Sequence, residues 1–190
     1  IMWALVESGS ITATYNQPKA INIGDVQYPR NIFEAWSSSE LEAIGIYEVV
    51  YDRTNFKDEE YYYNTKETLS FASNTVTASW GTATAKSLDD SGSGENLVKG
   101  LKTLHKESVD QRAYSLLASS DWMVVRKEEA GTAIPSDWST YRAGVRTAAA
   151  DMKTKIDAVS DVDALAALYV YNDADPPVRP LGEFPTPPSS

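Results

Sequence analysis

Two different periodicities divide the chain. Before residue 86, apolar and polar residues alternate in short runs, a pattern typical of half-buried strands. Beyond residue 95, apolar residues recur three and four positions apart, which indicates helices. Between these parts the letters SLDDSGSGE are typical of a flexible linker. We therefore predict an α+β fold with four segments: a small β-rich domain at 1–86, a flexible linker at 87–95, a helical hairpin domain at 96–171 and a Pro-rich extended tail at 172–190.

The β-rich part is predicted to be a small antiparallel domain with one short helix. Two strand-like runs flank Ser8-Gly9, where glycine allows the positive φ of a tight hairpin turn. Ser37 and Glu40 have the spacing of a capping box and predict a helix that begins at Ser38. The predicted strands are 3–7, 10–15, 46–51, 67–72 and 75–80, and the last two form a hairpin around Ser73-Asn74.

The helical part is predicted to be a hairpin with a short extra helix. Its first helix carries Leu97, Leu101 and Leu104 on one stripe and continues to Ala118. A connecting segment follows, and Ser136 then begins the second helix. The apolar stripe of this second helix consists of Trp138, Tyr141, Val145, Ala149, Met152, Ile156 and Val159. A third helix is predicted to start at Ser160.

The end of the chain is rich in proline. Six of the nine prolines lie in the last fifteen residues, PPVRPLGEFPTPPSS. Proline fixes φ and lacks an amide donor, so helix and central strand are both excluded. The pattern favours an extended, disordered tail, and docking on a neighbouring subunit or partner is the alternative.

Charge and composition exclude several classes of partner. The chain has 17 Lys and Arg against 27 Asp and Glu, a net charge of −10, which repels phosphate backbones and anionic lipid surfaces. We therefore expect neither nucleic acid nor membrane as a partner. The first apolar run covers only Met2 to Val6 and has no basic flank, so neither a signal peptide nor a membrane span is predicted.

The side chains that usually perform catalysis are scarce. Cysteine is absent, and the one histidine, His105, lies in the charged run KTLHKES and is predicted to be a surface residue. No stretch has the alternating carboxylates of a calcium loop, and the glycines of the linker lack the lysine of a phosphate loop. We predict a binding protein rather than an enzyme, without catalytic residue, cofactor or metal.

An aromatic cluster in the β-rich part leaves one alternative open. Its members are Tyr47, Tyr51, Tyr61, Tyr62, Tyr63 and Trp80. Such rings can stack on sugars, so a glycan-binding module is an alternative, although half-buried strands favour aromatic residues in any case. Core packing or subunit contact is the favoured interpretation.

One concentrated motif lies in the helical part, between residues 108 and 152. It reads RAYSLLASSDW and then IPSDWSTYRAGVR. The motif resembles the tail assembly chaperone family of tailed bacteriophages, whose pattern is Arg-x-x-x-Leu-Leu-x-x-x-Asp-Trp followed by Trp-x-x-Tyr-Arg-x-x-x-Arg. Leu116 and Leu117 match this pattern, and so do seven further residues: Arg112, Asp121, Trp122, Trp138, Tyr141, Arg142 and Arg146. The β-rich part is similar to small domains that accompany phage tail-fibre genes.

The resemblance implies a viral protein that binds phage tail or tail-fibre proteins through these seven residues. Either it is an assembly chaperone in the host cytoplasm, or it is a permanent component of the virion tail, fibre or baseplate. A homo-oligomer is a further option.

The spacing of the motif also has a physical meaning. Trp138, Tyr141 and Val145 are expected to bury against Leu116, Leu117 and Trp122. Arg142 and Arg146 lie four residues apart and, with Arg112, either pair Asp121 or Glu128 or meet acidic groups of a partner. In the partner case, changing Arg142 and Arg146 weakens binding and leaves the fold intact.

Overall fold

The computed structural model describes residues 2–189 and confirms the α+β class. Two units divide the chain: the first ends at Thr84 and the second begins at Ala85, two residues before the end of the predicted β-rich domain. None of the helices in the described residues is long and apolar enough to cross a membrane.

The first unit is built on a five-stranded sheet with the order β2-β1-β5-β8-β7. Its strands and helices, up to the unit boundary, are β1 (Trp3–Glu7), β2 (Ser10–Tyr15), β3 (Ile21–Ile23), β4 (Val26–Tyr28), α1 (Ile32–Ala35), α2 (Ser38–Ala43), β5 (Ile46–Asp52), β6 (Tyr62–Tyr63), β7 (Thr68–Ala72), β8 (Thr75–Ser79) and β9 (Thr84–Ala85). Successive side chains of β1 lie in two different apolar clusters, with Leu5 in one and Ala4 in the other. Both faces of the sheet therefore carry buried apolar side chains.

The turns and the helix cap that were predicted in the first unit are confirmed. The turn residues Ser8 and Gly9 have φ values of 51° and 79°, and Ser73 and Asn74 have 49° and 58°, as two-residue hairpin turns require. The capping box of α2 is also present, with the Ser37 amide donating to the Glu40 carboxylate at 2.8 Å. This hydrogen bond lowers the pKa of Glu40.

The prediction of a purely antiparallel sheet was wrong at one place. Strands β5 and β8 pair in parallel, so the sheet is mixed. Parallel strands need a connection of about a dozen residues or more, and residues 53–74, which include β7, supply that length. Strands β3 and β4 and helix α1 were not predicted, because their runs of three or four residues are too short to show a period.

The second unit is helical. It contains a short 3-10 turn (Gly94–Asn96), α3 (Leu101–Ala118), α4 (Asp121–Ala130), α5 (Ser136–Ala158) and α6 (Val162–Ala167). The predicted stripe of α5 is confirmed, since all seven of its residues are buried or half-buried. Helix α6 begins later than predicted, because Asp161 rather than Ser160 caps it, accepting the Ala164 amide at 2.7 Å.

The connection between the two predicted helices is itself largely helical. Asp121 stands in the first turn of α4, and Gly131 ends the helix in the left-handed conformation, with φ of 67°. The sequence shows no helical period of apolar residues here, because Met123 is the buried residue of α4 and the apolar Trp122 and Val125 are exposed. The second unit therefore has four helices rather than a hairpin and one extra helix.

Helix α3 begins at Leu101, and its buried stripe differs from the predicted one. The stripe consists of Leu101, His105, Val109 and Ala113, whereas Leu97 and Leu104 are exposed. The prediction that His105 lies on the surface was wrong: its Nδ1 lies 2.6 Å from the Tyr169 hydroxyl, and the two rings meet edge to face. A polar partner allows the imidazole to be buried in the stripe.

The predicted flexible linker is hydrogen-bonded to the start of α3. The carbonyl of Ser87 accepts the Leu101 amide at 2.9 Å, and the Asp90 carboxylate accepts the Gly100 amide at 2.7 Å. A Cβ atom on Gly100 would lie 2.4 Å from the carbonyl oxygen of Leu88, so this close approach needs glycine. The segment is therefore part of the second unit and not a free connection.

Candidate functional site

Arg142 is the centre of the motif in the structure. It lies on α5, and its side chain is only 7% exposed. Its guanidinium donates to the carbonyl of Leu117 at 3.0 Å, to the hydroxyl of Ser120, and to the carboxylate of Asp121 at 2.8 Å. These acceptors stand at the end of α3, between the helices and at the start of α4. Arg142 therefore fastens α5 to the corner between α3 and α4.

The chemistry of a helix end explains why arginine occupies this position. The last carbonyls of α3 have no partner within the helix, and the helix dipole favours a cation beside them. Ser120, which is fully buried, also donates to the Leu117 carbonyl at 3.0 Å. Because guanidinium is planar and has five donors, it can reach several acceptors at once. Of the two roles considered for the Arg142–Asp121 pair, the structure shows the one within the unit.

Tyr141 supports the same corner. It is buried, and its hydroxyl lies 3.5 Å from the Leu116 carbonyl, so α5 meets the end of α3 as expected. Trp138 is half-buried and packs edge to face on Tyr141, with ring centroids 5.7 Å apart.

Trp122 was predicted to be buried within the hairpin, and this prediction was wrong. The side chain is 52% exposed, because α4 turns the neighbouring Met123 inward instead. Val125, three residues further along the same helix, is also 52% exposed. The guanidinium of Arg126 lies 4.7 Å from the centre of the indole ring. We call the surface formed by the exposed Trp122 and Val125 and the half-buried Arg126 the Trp122 face.

The two other arginines of the motif are exposed. Arg146 donates to the carbonyl of Arg142 at 3.3 Å, one turn back on α5. Arg112 lies at the edge of a cavity beside Leu116 and Met152. Within residues 2–189 neither has a carboxylate partner within ion-pair distance. Both cations are available to acidic groups of a partner.

The motif therefore consists of two groups. Asp121, Tyr141 and Arg142 hold the corner together, while Trp122, Arg112 and Arg146 are exposed. Val125 joins the exposed group, while Arg126 is half-buried against Trp122; neither was singled out in the sequence. Their spacing of three and four residues after Trp122 was the available signal, once α4 is known to be a helix.

The aromatic residues of the predicted cluster have different neighbours. Tyr51 stacks on Trp80, with ring centroids 6.4 Å apart, and the Arg53 guanidinium lies within 6 Å of both rings. Tyr47 packs instead on Phe71, and Tyr61 is buried. The Tyr51–Trp80 contact joins two members of the predicted cluster.

Residues 2–189 contain no group of three His, Asp or Glu side chains that could hold a metal ion. No protein-family model matches the chain, and no curated protein or solved structure is significantly similar to it.

Proposed function

We propose that the chain is a tail or tail-fibre assembly chaperone of a tailed bacteriophage and binds an unassembled tail protein through the Trp122 face. The observation that carries this proposal is an exposed tryptophan on a helix whose start is held by Arg142. Tryptophan and arginine are enriched among the residues that dominate protein interfaces. The resemblance of the surrounding motif to the chaperone family supports the assignment to phage tails.

The chemistry of the Trp122 face suits a surface that alternates between water and a partner. In the free chain the Arg126 guanidinium covers one side of the indole, which reduces the apolar area in contact with water. An approaching partner buries the indole and Val125, and a carboxylate at its rim can pair with Arg126. The host cytoplasm during assembly is the proposed location of this complex.

Co-expression with the tail genes of the same phage tests the proposal. The tagged chain should retain a tail or tail-fibre protein through purification, and that protein should aggregate more when it is expressed without the chain. If every tail protein of that phage is soluble alone and none is retained, the chaperone proposal is wrong.

A permanent virion component is the second candidate, and the buried position of Leu181 in the Pro-rich tail favours it, since a packed tail suits lasting contacts. Quantitative mass spectrometry of purified virions separates the two. We expect the chain to be absent from the particle or far below the copy number of any tail subunit. A fixed copy number in the particle would assign it to the virion structure.

A further inference from the structure

The last described residues lie along helix α5. Along the tail, Leu181 lies beside Lys155 of the helix, Pro185 lies beside Gly144, and Pro188 lies near Ser136. From Leu181 to Pro188 the extended tail spans about 22 Å at 3.1 Å per residue, and from Lys155 to Ser136 the helix spans about 29 Å at 1.5 Å per residue. The tail therefore runs in the opposite direction to α5. This finding corrects the expectation of a disordered tail.

Specific contacts anchor the beginning of this tail. Leu181 is 2% exposed, and its amide donates to the Leu168 carbonyl at 2.9 Å. The Lys155 ammonium donates to the carbonyls of Pro180 and Leu181 at 2.8 and 3.2 Å. These backbone contacts recognise an extended chain rather than a particular side chain, while the buried Leu181 side chain adds an apolar anchor.

Glycine in the middle of α5 fits the close approach of the tail. A Cβ atom on Gly144 would lie 3.3 Å from Cγ of Pro185. Glycine inside a helix costs about 1 kcal/mol relative to alanine. A bare backbone at this position leaves room for a proline ring on the helix.

The acidic residue of the tail has partners of its own. The Glu183 carboxylate accepts from Arg179 at 2.8 Å and from the Tyr171 hydroxyl, and this second bond raises the pKa of Tyr171. Phe184 and Pro185 follow as half-buried residues. The sequence Glu-Phe-Pro therefore combines an exposed carboxylate, held by Arg179 and Tyr171, with a half-buried aromatic ring and a half-buried proline.

The tail does not fill the space that it covers. A cavity of about 530 Å³ remains, and its lining includes Val109, Leu116 and Met152 from the helices and Phe184 from the tail. Arg112 stands at the edge of the cavity with its guanidinium unpaired within the described residues. The surface of α3 and α5 beside the tail therefore has open volume and a positive charge that the tail leaves unused.

We propose that the surface formed by α3 and α5 is a peptide-binding groove whose resident occupant, Leu181 to Pro188, is displaced by a segment of the partner. This inference rests on the proposed function and names the chemistry of the partner. The displacing segment is extended, has an aromatic residue followed by proline, and carries a carboxylate that reaches Arg112. Because the tail is tethered, its effective concentration is on the order of millimolar, so weak intrinsic affinity suffices to close the groove.

A synthetic peptide tests the groove directly. The probe is fluorescein-labelled RPLGEFPTPPS, residues 179–189. The full-length chain with Leu181→Ser and Phe184→Ser loses its tail anchors, and we expect it to bind the probe at least tenfold more tightly than the wild type does. Adding Gly144→Gln to this variant should abolish binding, because its side chain occupies the position of Pro185. A peptide of scrambled order serves as the control.

The groove proposal would be overturned if the wild type and the Leu181→Ser, Phe184→Ser variant bound the probe with equal affinity. It would also be overturned if Gly144→Gln left the affinity of that variant unchanged. A second measurement uses the wild-type chain and needs no folded variant. Excess probe should accelerate amide hydrogen exchange of Leu181 to Phe184 several-fold, and unchanged exchange at saturating probe would also overturn displacement.

The groove and the chaperone proposal can fail separately. Probe binding without retention of any tail protein would contradict the chaperone function alone. Retention of a tail protein by a chain with Gly144→Gln, at wild-type affinity, would contradict the groove alone.

Discussion

Replacing Arg142 with alanine is expected to lower the free energy of unfolding of the second unit by about 2–4 kcal/mol. The change removes the donor that joins three acceptors at the α3–α4 corner, and it leaves the buried Ser120 hydroxyl without the guanidinium. Urea unfolding followed by helical circular dichroism measures the loss. Arg142→Lys should recover little of it, because a single ammonium cannot reach the same acceptors in the same geometry.

Arg146→Ala is the matched control for this prediction. The same residue type stands one turn further along α5, is exposed, and makes a single 3.3 Å hydrogen bond to a backbone carbonyl. Its removal should change stability by no more than about 0.5 kcal/mol. If Arg142→Ala and Arg146→Ala unfold at the same urea concentration as the wild type, the corner is not fastened by Arg142. Partner binding was considered for Arg112, Arg142 and Arg146. Because Arg142 is buried in the corner, Arg112 and Arg146 remain the candidates for that role.

The elements that could be predicted are those whose signals are local. Every residue of the α5 stripe is buried or half-buried, because its period continues without interruption from Trp138 to Val159. The two hairpins were visible because Ser8-Gly9 and Ser73-Asn74 tolerate positive φ between alternating strands. In these cases neighbouring residues alone determine the backbone.

The elements that were missed depend on partners far along the chain. His105 is buried because Tyr169, 64 residues later, provides its hydrogen-bond partner. The parallel pairing of β5 with β8 also has no local signature, because the sequence of one strand does not show which other strand will pair with it. The tail was treated as disordered because its packing depends on α5, which lies elsewhere in the sequence.

The motif shows the same division. Its spacing left several partners open for Arg142, and the structure shows one of them, Asp121. The spacing did not reveal which side of α4 faces inward. Trp122 and Met123 differ by one position, or about 100° around a helix, and that difference decides which of them is buried. The exposed tryptophan is therefore a finding of the structure.

Trp122→Ala is expected to weaken binding to the retained tail protein by about 2 kcal/mol, roughly thirtyfold in Kd. The indole is the largest exposed apolar side chain of α4, and a partner that covers it would lose this contact. The fold should remain, because the side chain is 52% exposed in the free chain. Leu104→Ala is the matched control: its side chain is 47% exposed, and it stands roughly 20 Å along α3 from the end that joins α4.

The most direct test of the central claim is the Kd of the purified complex, measured by titration calorimetry for the wild type, Trp122→Ala and Leu104→Ala. Binding through the Trp122 face predicts a roughly thirtyfold loss for Trp122→Ala and less than a twofold change for Leu104→Ala. Wild-type affinity in Trp122→Ala, or an equal loss in both variants, would contradict it.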